Sequence, residues 1–266
     1  MRAFTCCIAL MGMLSAAHSD VFSDRLDRLD DGVHVLSAIQ QERLVEPIVV
    51  PKSQIQTTDR ERLLRLLVER VTRNETTTEG RVLAWTRYVQ NRIAHPRITP
   101  MHDPISMVLD PIWVLENRLG KCGQTNRVLL DGLETLGIKG RLVQLVAHIA
   151  AEVWLDGQWR FLDADWLDDG EVVRRPDGRI PSAREISSNP HWLDSLHPAS
   201  EWSAYGVDLG YSPETFTDPV KRYKEMFVRT EVSGLTTPYY YVKTATAEQR
   251  QDVFFGWMNY ETHDSH

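Results

Sequence analysis

The chain has 266 residues, of which 42% are hydrophobic and 25% charged, and a formal net charge of −7. That is the composition of a globular protein, long enough for one substantial domain with an extension. The acidic balance speaks against nucleic acid or an anionic membrane as a partner drawn by long-range attraction, and after the first twenty residues no stretch approaches the ~20 apolar residues of a membrane helix.

Residues 1–19 read as a secretory signal peptide. Arg2 gives a positive start, Ala3 to Leu14 an apolar run too short to anchor in a bilayer, and Ala17 and Ser19 small residues at cleavage spacing. A buried N-terminal helix would more often carry charges within such a run. Cleavage would remove Cys6 and Cys7 and leave Cys122 alone. Exported proteins usually use cysteines in pairs, so a lone thiol is either an inert buried residue or a reactive one. The expected location is secreted or periplasmic.

Residues 20–55 read as an N-terminal extension. Leu26, Leu29, Val33 and Leu36 recur at helical spacing, interrupted by Asp30-Asp31-Gly32. Pro47 and Pro51 flank Ile48-Val49-Val50, a short strand or extended arm. Residues 56–170 hold the expected catalytic core. Thr58 with Glu61 forms a capping-box pattern before a stripe of Leu63, Leu64, Leu67, Val68 and Val71. Thr76 with Glu79 repeats the signal before Val82, Trp85, Val89 and Ile93, a helix ended before Pro96. Both stripes read as core. Residues 95–118 carry Pro96, Pro100, Pro104 and Pro111 and read mostly as loop, with a short helix around Trp113, Val114 and Leu115. His95, His102 and Asp103 lie among these prolines without a metal-ligand spacing.

A third helix is predicted from near Cys122 to Gly137, with Leu129, Leu133 and Leu136 on its buried face. Cys122 then sits at a helix N-terminus, where unpaired backbone N–H groups and the dipole favour a thiolate. Gly120 and Gly123 flank it and allow close approach. Strands follow at Leu142–Ala147, Ala151–Leu155 and Gln158–Leu162. Asp156-Gly157 between the last two is a two-residue hairpin signal. A tight turn there sets Ala150 opposite Asp163 and makes His148 and Asp163 diagonal neighbours on one face. Glu152, Phe161 and the pair Trp154–Trp159 share that face.

Gly120-x-Cys122, a helix ending Leu136-Gly137-Ile138, His148-x-x-x-Glu152-Val153, Asp156-Gly157-x-Trp159 and Asp163 together resemble the transglutaminase-like superfamily over residues 80–168. The resemblance implies an α+β, papain-like core in which a cysteine caps a helix and histidine and aspartate come from adjacent strands. The implied catalytic residues are Cys122, His148 and Asp163. Relatives commonly have an aromatic after the histidine and a proline after the aspartate; this chain has Ile149 and Ala164.

Asp163, Asp165, Asp168, Asp169 and Glu171 resemble a cation loop, but their spacing fails the EF-hand pattern. Residues 171–266 read as an elaboration packed on the core and shaping a substrate groove. Tyr239-Tyr240-Tyr241 there reads as a strand, and the tyrosines and Trp192, Trp202 and Trp257 read as packing rather than a cleft lining.

The expectation is a secreted cysteine enzyme acting on an amide or acyl bond. His148 takes the Cys122 proton, Asp163 orients the imidazole, and the Cys122 N–H contributes to an oxyanion hole. Gln124, Trp85 and Trp113 are the candidate second donors. Hydrolysis is expected over cross-linking, since no sequence feature marks an amine tunnel. The chemistry needs no organic cofactor and no metal. The expected partner is an extracellular or cell-envelope peptide, protein or glycan substrate. The competing class is a binding module that holds glycan or peptide on the same fold without turnover.

Overall fold

A computed structural model describes residues 23–30, 57–95, 110–145, 148–197 and 218–227, with two short strands at 240–242 and 260–261. The signal segment, Val33, Leu36, the Pro47–Pro51 stretch, His102, Asp103, Trp202 and Trp257 lie outside these residues. Among the described residues, five helices precede the first strand: α1 (23–29), α2 (Thr57–Thr72), α3 (Thr78–Arg92), α4 (Pro111–Asn117) and α5 (Cys122–Thr135). Then come β1 (Gly140–Leu145), β2 (His148–Leu155), β3 (Gln158–Leu162), α6 (Ala183–Ser188), a 3-10 turn (Pro190–Leu193), α7 (Pro219–Met226), β4 (Tyr240–Val242) and β5 (Tyr260–Glu261). The fold is α+β, as expected.

The helix boundaries follow local chemistry, with small corrections. The cap of α3 is Thr77, one residue beyond the expected Thr76; its extended backbone lets the side chain accept from the Gly80 N–H at 3.0 Å. α2 begins at Thr57, so Thr58 lies inside the helix rather than ahead of it. α4 is longer than expected because Asp110 caps it, accepting from the Ile112 N–H at 3.0 Å, and Pro111 occupies the first turn, where its missing N–H costs nothing. α5 ends as predicted: Gly137 has φ 74°, its N–H reaches the Glu134 carbonyl at 2.9 Å, and Ile138 N–H reaches Leu133 at 3.1 Å. That pair of bonds is a Schellman closure.

The sheet is antiparallel throughout, in the order β3-β2-β1-β4-β5. Asp156 and Gly157 both have positive φ, 50° and 77°, the geometry a tight I′ hairpin requires. The ladder runs from Leu155↔Gln158 to Ala151↔Leu162, the predicted register. β1 starts two residues before the expected Leu142, and β2 starts at His148, ahead of the expected Ala151.

Both faces of the sheet are covered at β2. Ile149, Ala151, Val153 and Leu155 of β2 point into one apolar cluster with Leu67, Trp85, Leu129 and Leu133 of the helices. Ala150 and Val143 point the other way, into a cluster with Phe161, Trp166, Ile186, Leu193, Tyr223 and Phe227. Period-two alternation is therefore muted in β2, where only Trp154 is exposed. α3 and α5 approach closely: the Trp85 indole N–H donates to the Leu129 carbonyl at 3.0 Å, and a Cβ on Gly132 would come within 2.3 Å of the indole. Glu152, fully buried on the second face, pairs with Arg141 at 2.7 Å and accepts the Ala183 N–H at 2.7 Å at the start of α6.

Candidate active site

Cys122 opens α5 because Lys121 is still extended, at φ −77° and ψ 167°. The Lys121 N–H is taken by Gln124 Oε1 at 2.8 Å, the reciprocal half of a capping box. The Cys122 N–H is one of the first-turn donors that no helical carbonyl can reach. Gly120 sits where a Cβ would press within 3.0 Å of Thr125 Oγ1 and 3.2 Å of Ile93 and Val114. A side chain there would push the thiol's loop off the helices beneath it.

The sheet brings the other two residues to this helix end. His148 is the first residue of β2 and is buried; Asp163 follows the last residue of β3 and is buried. His148 Nε2 lies 2.7 Å from Asp163 Oδ2. With Nε2 on the carboxylate, Nδ1 is left to face the thiol, and Cys122 and His148 are hydrogen-bonded. The structure thus brings Cys122, His148 and Asp163 into one contact chain.

The charges of the three residues are mutually adjusted. Burial pushes the Cys122 thiol up, but the hydrogen bond and charge of His148, helped by a backbone bond from Ile149, outweigh it and hold the thiol below its usual value. Burial pushes His148 down; the charge and hydrogen bond of Asp163, with Cys122, carry it well above the usual histidine range. Burial likewise raises Asp163, and His148, the Asp165 N–H and Tyr223 more than reverse this. All three directions favour thiolate, imidazolium and carboxylate together.

Several groups at this site carry no local sequence signal. Asp163 Oδ2 also accepts from the Tyr223 hydroxyl at 2.8 Å, and Oδ1 accepts from the N–H groups of Asp165 at 3.0 Å and Trp166 at 3.1 Å. Asn126 lies one turn along α5 from Cys122. Its amide donates to the carbonyls of Cys122 at 3.0 Å and Ile149 at 2.8 Å, and its oxygen accepts the Ala164 N–H at 3.0 Å. A buried asparagine in an apolar helix stripe was the one available hint. Gln90 of α3 donates to the backbone carbonyl of Asp163 at 3.0 Å.

Of the candidate oxyanion donors, the Trp85 indole N–H is committed to the Leu129 carbonyl. Gln124 is held at the helix end through its side-chain oxygen, which accepts the Lys121 N–H. Trp113 is buried in the helix-side core. Trp192 packs at the second cluster, and Trp154 packs against Trp159 at 5.2 Å.

One mixed group of metal-ligating atoms occurs among the described residues: Cys122, His148 and Asp165, all within 4.8 Å of one another. Asp165 Oδ2 is 4.0 Å from His148 Nδ1. A tetrahedral ion with bonds of about 2.0–2.3 Å would draw its donors to roughly 3.3–3.8 Å apart. The group would have to close to hold a divalent ion, and doing so would break the thiol–imidazole bond. Elsewhere in the acidic run, Asp163 serves His148, and Glu171 pairs with His197 at 3.1 Å.

A cysteine at a helix N-terminus, paired with a histidine and an aspartate from neighbouring antiparallel strands, defines a thiol–imidazole–carboxylate site of the papain-like kind. Residues 65–164 match the family model described as Transglutaminase-like superfamily. Three solved structures are similar to the chain at 18% identity: a TGase, with TM-score 0.36 over 48% of this chain and 36% of that one; a candidate protease from Parabacteroides distasonis, 0.35 over 48% and 26%; and a candidate cysteine protease from Cytophaga hutchinsonii, 0.34 over 50% and 44%. The chain spans less than half the length of each. No curated protein matches it at a significant level.

Proposed function

We propose that this protein is an exported cysteine enzyme that hydrolyses an amide or related acyl bond through Cys122, His148 and Asp163. The observation that carries the reading is the contact chain itself: thiol to His148, and His148 Nε2 to Asp163 Oδ2 at 2.7 Å. The thiolate attacks the acyl carbon, and the tetrahedral oxyanion is met by the Cys122 N–H at the helix end. Imidazolium Nδ1–H then gives its proton to the leaving amine, and the thioester remains. His148 next takes a proton from water, which attacks the thioester and frees the acid. Asp163 stays ionised throughout and holds the ring so that Nδ1 faces sulfur. Export is supported by the pattern of residues 1–19 and by Cys122 standing alone beyond them. The substrate is then an extracellular or cell-envelope peptide, protein or glycan.

Hydrolysis is preferred to cross-linking because water stands at roughly 55 M, and an amine wins only where the protein holds it beside the thioester at high effective molarity. The test supplies acyl donors from a peptide and glycan-linked amide panel, with and without a labelled primary amine, and follows both products by mass spectrometry. The acid should dominate, and Cys122→Ala should lower its formation by about 10⁴-fold or more. Dominant amide at millimolar amine would make the protein a transferase. Neither product, from a chain whose Cys122 labels normally, would favour a binding role.

A further inference from the structure

The second layer of the sheet reaches the site at one atom. Tyr223 belongs to α7, outside the segment that matches the family model, and sixty residues beyond Asp163 in the chain. Its side chain is fully buried. The ring stacks on Trp166 at 5.3 Å with planes 7° apart and meets His148 edge-on at 6.3 Å and Phe227 at 5.5 Å. Trp166 itself lies edge-on to His148 at 5.8 Å. These contacts leave the phenol one direction, and its O–H points at Asp163 Oδ2, 2.8 Å away. That oxygen is the one that His148 Nε2 contacts.

We infer that Tyr223 is a positioning residue of the proposed thiol chemistry. The phenol O–H and the imidazole share Oδ2, so the two donors together fix where that oxygen's lone pairs point. Oδ1 is meanwhile held by the Asp165 and Trp166 N–H groups. A carboxylate with donors on both oxygens cannot turn about its terminal torsion, a broad and soft one when free. With Tyr223 lost, Oδ2 keeps the imidazole but loses the donor that directs its second lone pair, the carboxylate is less firmly aimed at Nε2, and the imidazolium that keeps the thiol ionised weakens. α7 is anchored at three points that hold the phenol in place. Asp218 caps it, accepting the Lys221 N–H at 2.9 Å; Ser187 Oγ donates to the Phe227 carbonyl at 3.0 Å; and Lys224 pairs with Asp194. The layer beyond the family core therefore completes the site as well as covering the sheet.

The inference rests on the triad reading, and the experiment separates the two. The full chain is alkylated with iodoacetamide across pH 4–9, and modification of the Cys122 peptide is followed by mass spectrometry, so no substrate is needed. The set is wild type, Tyr223→Phe, Asp163→Asn, the double variant, His148→Ala and Ile186→Ala. Tyr223→Phe keeps the ring and its stacking. It should slow labelling at pH 6–7 by about tenfold, the scale of one hydrogen bond to a charged group, and move the acid limb to higher pH. On the Asp163→Asn background the same change should alter the rate less than about twofold, since it acts only through that carboxylate. Ile186→Ala removes packing from the same apolar cluster and should lower Tm while leaving the labelling profile in place. A wild-type profile in Tyr223→Phe overturns the inference, as does a tenfold loss that persists in full on the Asp163→Asn background, which would make Tyr223 a packing residue. If His148→Ala itself labels as wild type does, the triad reading fails instead.

Discussion

Asp163 collects hydrogen bonds from four parts of the chain: His148, Tyr223, Asn126 and the loop N–H groups of Asp165 and Trp166. Every one of these partners is a donor in the ion-paired state, and an ionised carboxylate is the one side chain of this size that only accepts. Asparagine at 163 has one accepting oxygen and must turn an NH₂ toward a donor on one side or the other. If it keeps the Oδ1 contacts, its NH₂ faces Nε2 and forces the proton onto Nδ1, so the base that faces sulfur is lost. Asp163→Asn should therefore lower turnover by about 10⁴, the cost of the comparable change in the serine-triad example. It should also lower Tm, because a buried donor is left facing a donor. Steady-state kinetics with calorimetry checks both. Normal turnover would mean that another residue orients His148.

At the scale of elements, α5 carries the thiol on one end and leans on α3 along its length. Gly132 makes that contact possible, since the Trp85 indole lies where its Cβ would be. Gly132→Ala raises helix propensity but pushes the indole off the Leu129 carbonyl. The overpacking should win, at about 1–3 kcal/mol of lost stability against roughly 1 kcal/mol of propensity gained. Denaturant unfolding measures it, and a more stable variant would mean that α3 can slide. The parts of the site legible in sequence were those set by local rules. Asp156-Gly157 demanded a tight turn, the turn set the register, and the register put Asp163 beside His148. Gly137 marked the end of α5 for the same kind of reason. Thr76 and Thr77 are chemically alike, so the sequence does not choose between them as the cap; the extended backbone at Thr77 does. Tyr223 and Asn126 had no such rule. Each serves the site through a partner distant in sequence, and tyrosine on a short helix reads the same whether its hydroxyl meets water or a carboxylate.

At the scale of the whole molecule, β2 is buried on both faces, and the ion pair of His148 and Asp163 sits between the two apolar clusters with little solvent to screen it. Such a pair couples folding to pH in both directions. Asp163 is held below its ordinary value of 3.8, so its contribution is present above that pH and is lost as pH falls through the lower folded value. His148 is held well above its ordinary 6.5, so its contribution is full below 6.5 and is lost as pH rises toward the folded value. The two together stabilise the fold most between pH 3.8 and 6.5. His148→Gln removes the imidazolium and keeps a side chain of similar polarity. The Tm difference between wild type and this variant should be largest near pH 5, shrink as pH falls through the lowered Asp163 value, and shrink as pH rises through the raised His148 value. Differential scanning calorimetry across that range reads it directly. A difference that grows steadily with pH would mean that His148 is buried neutral, and then the thiol would have no cation beside it and no reason to ionise early.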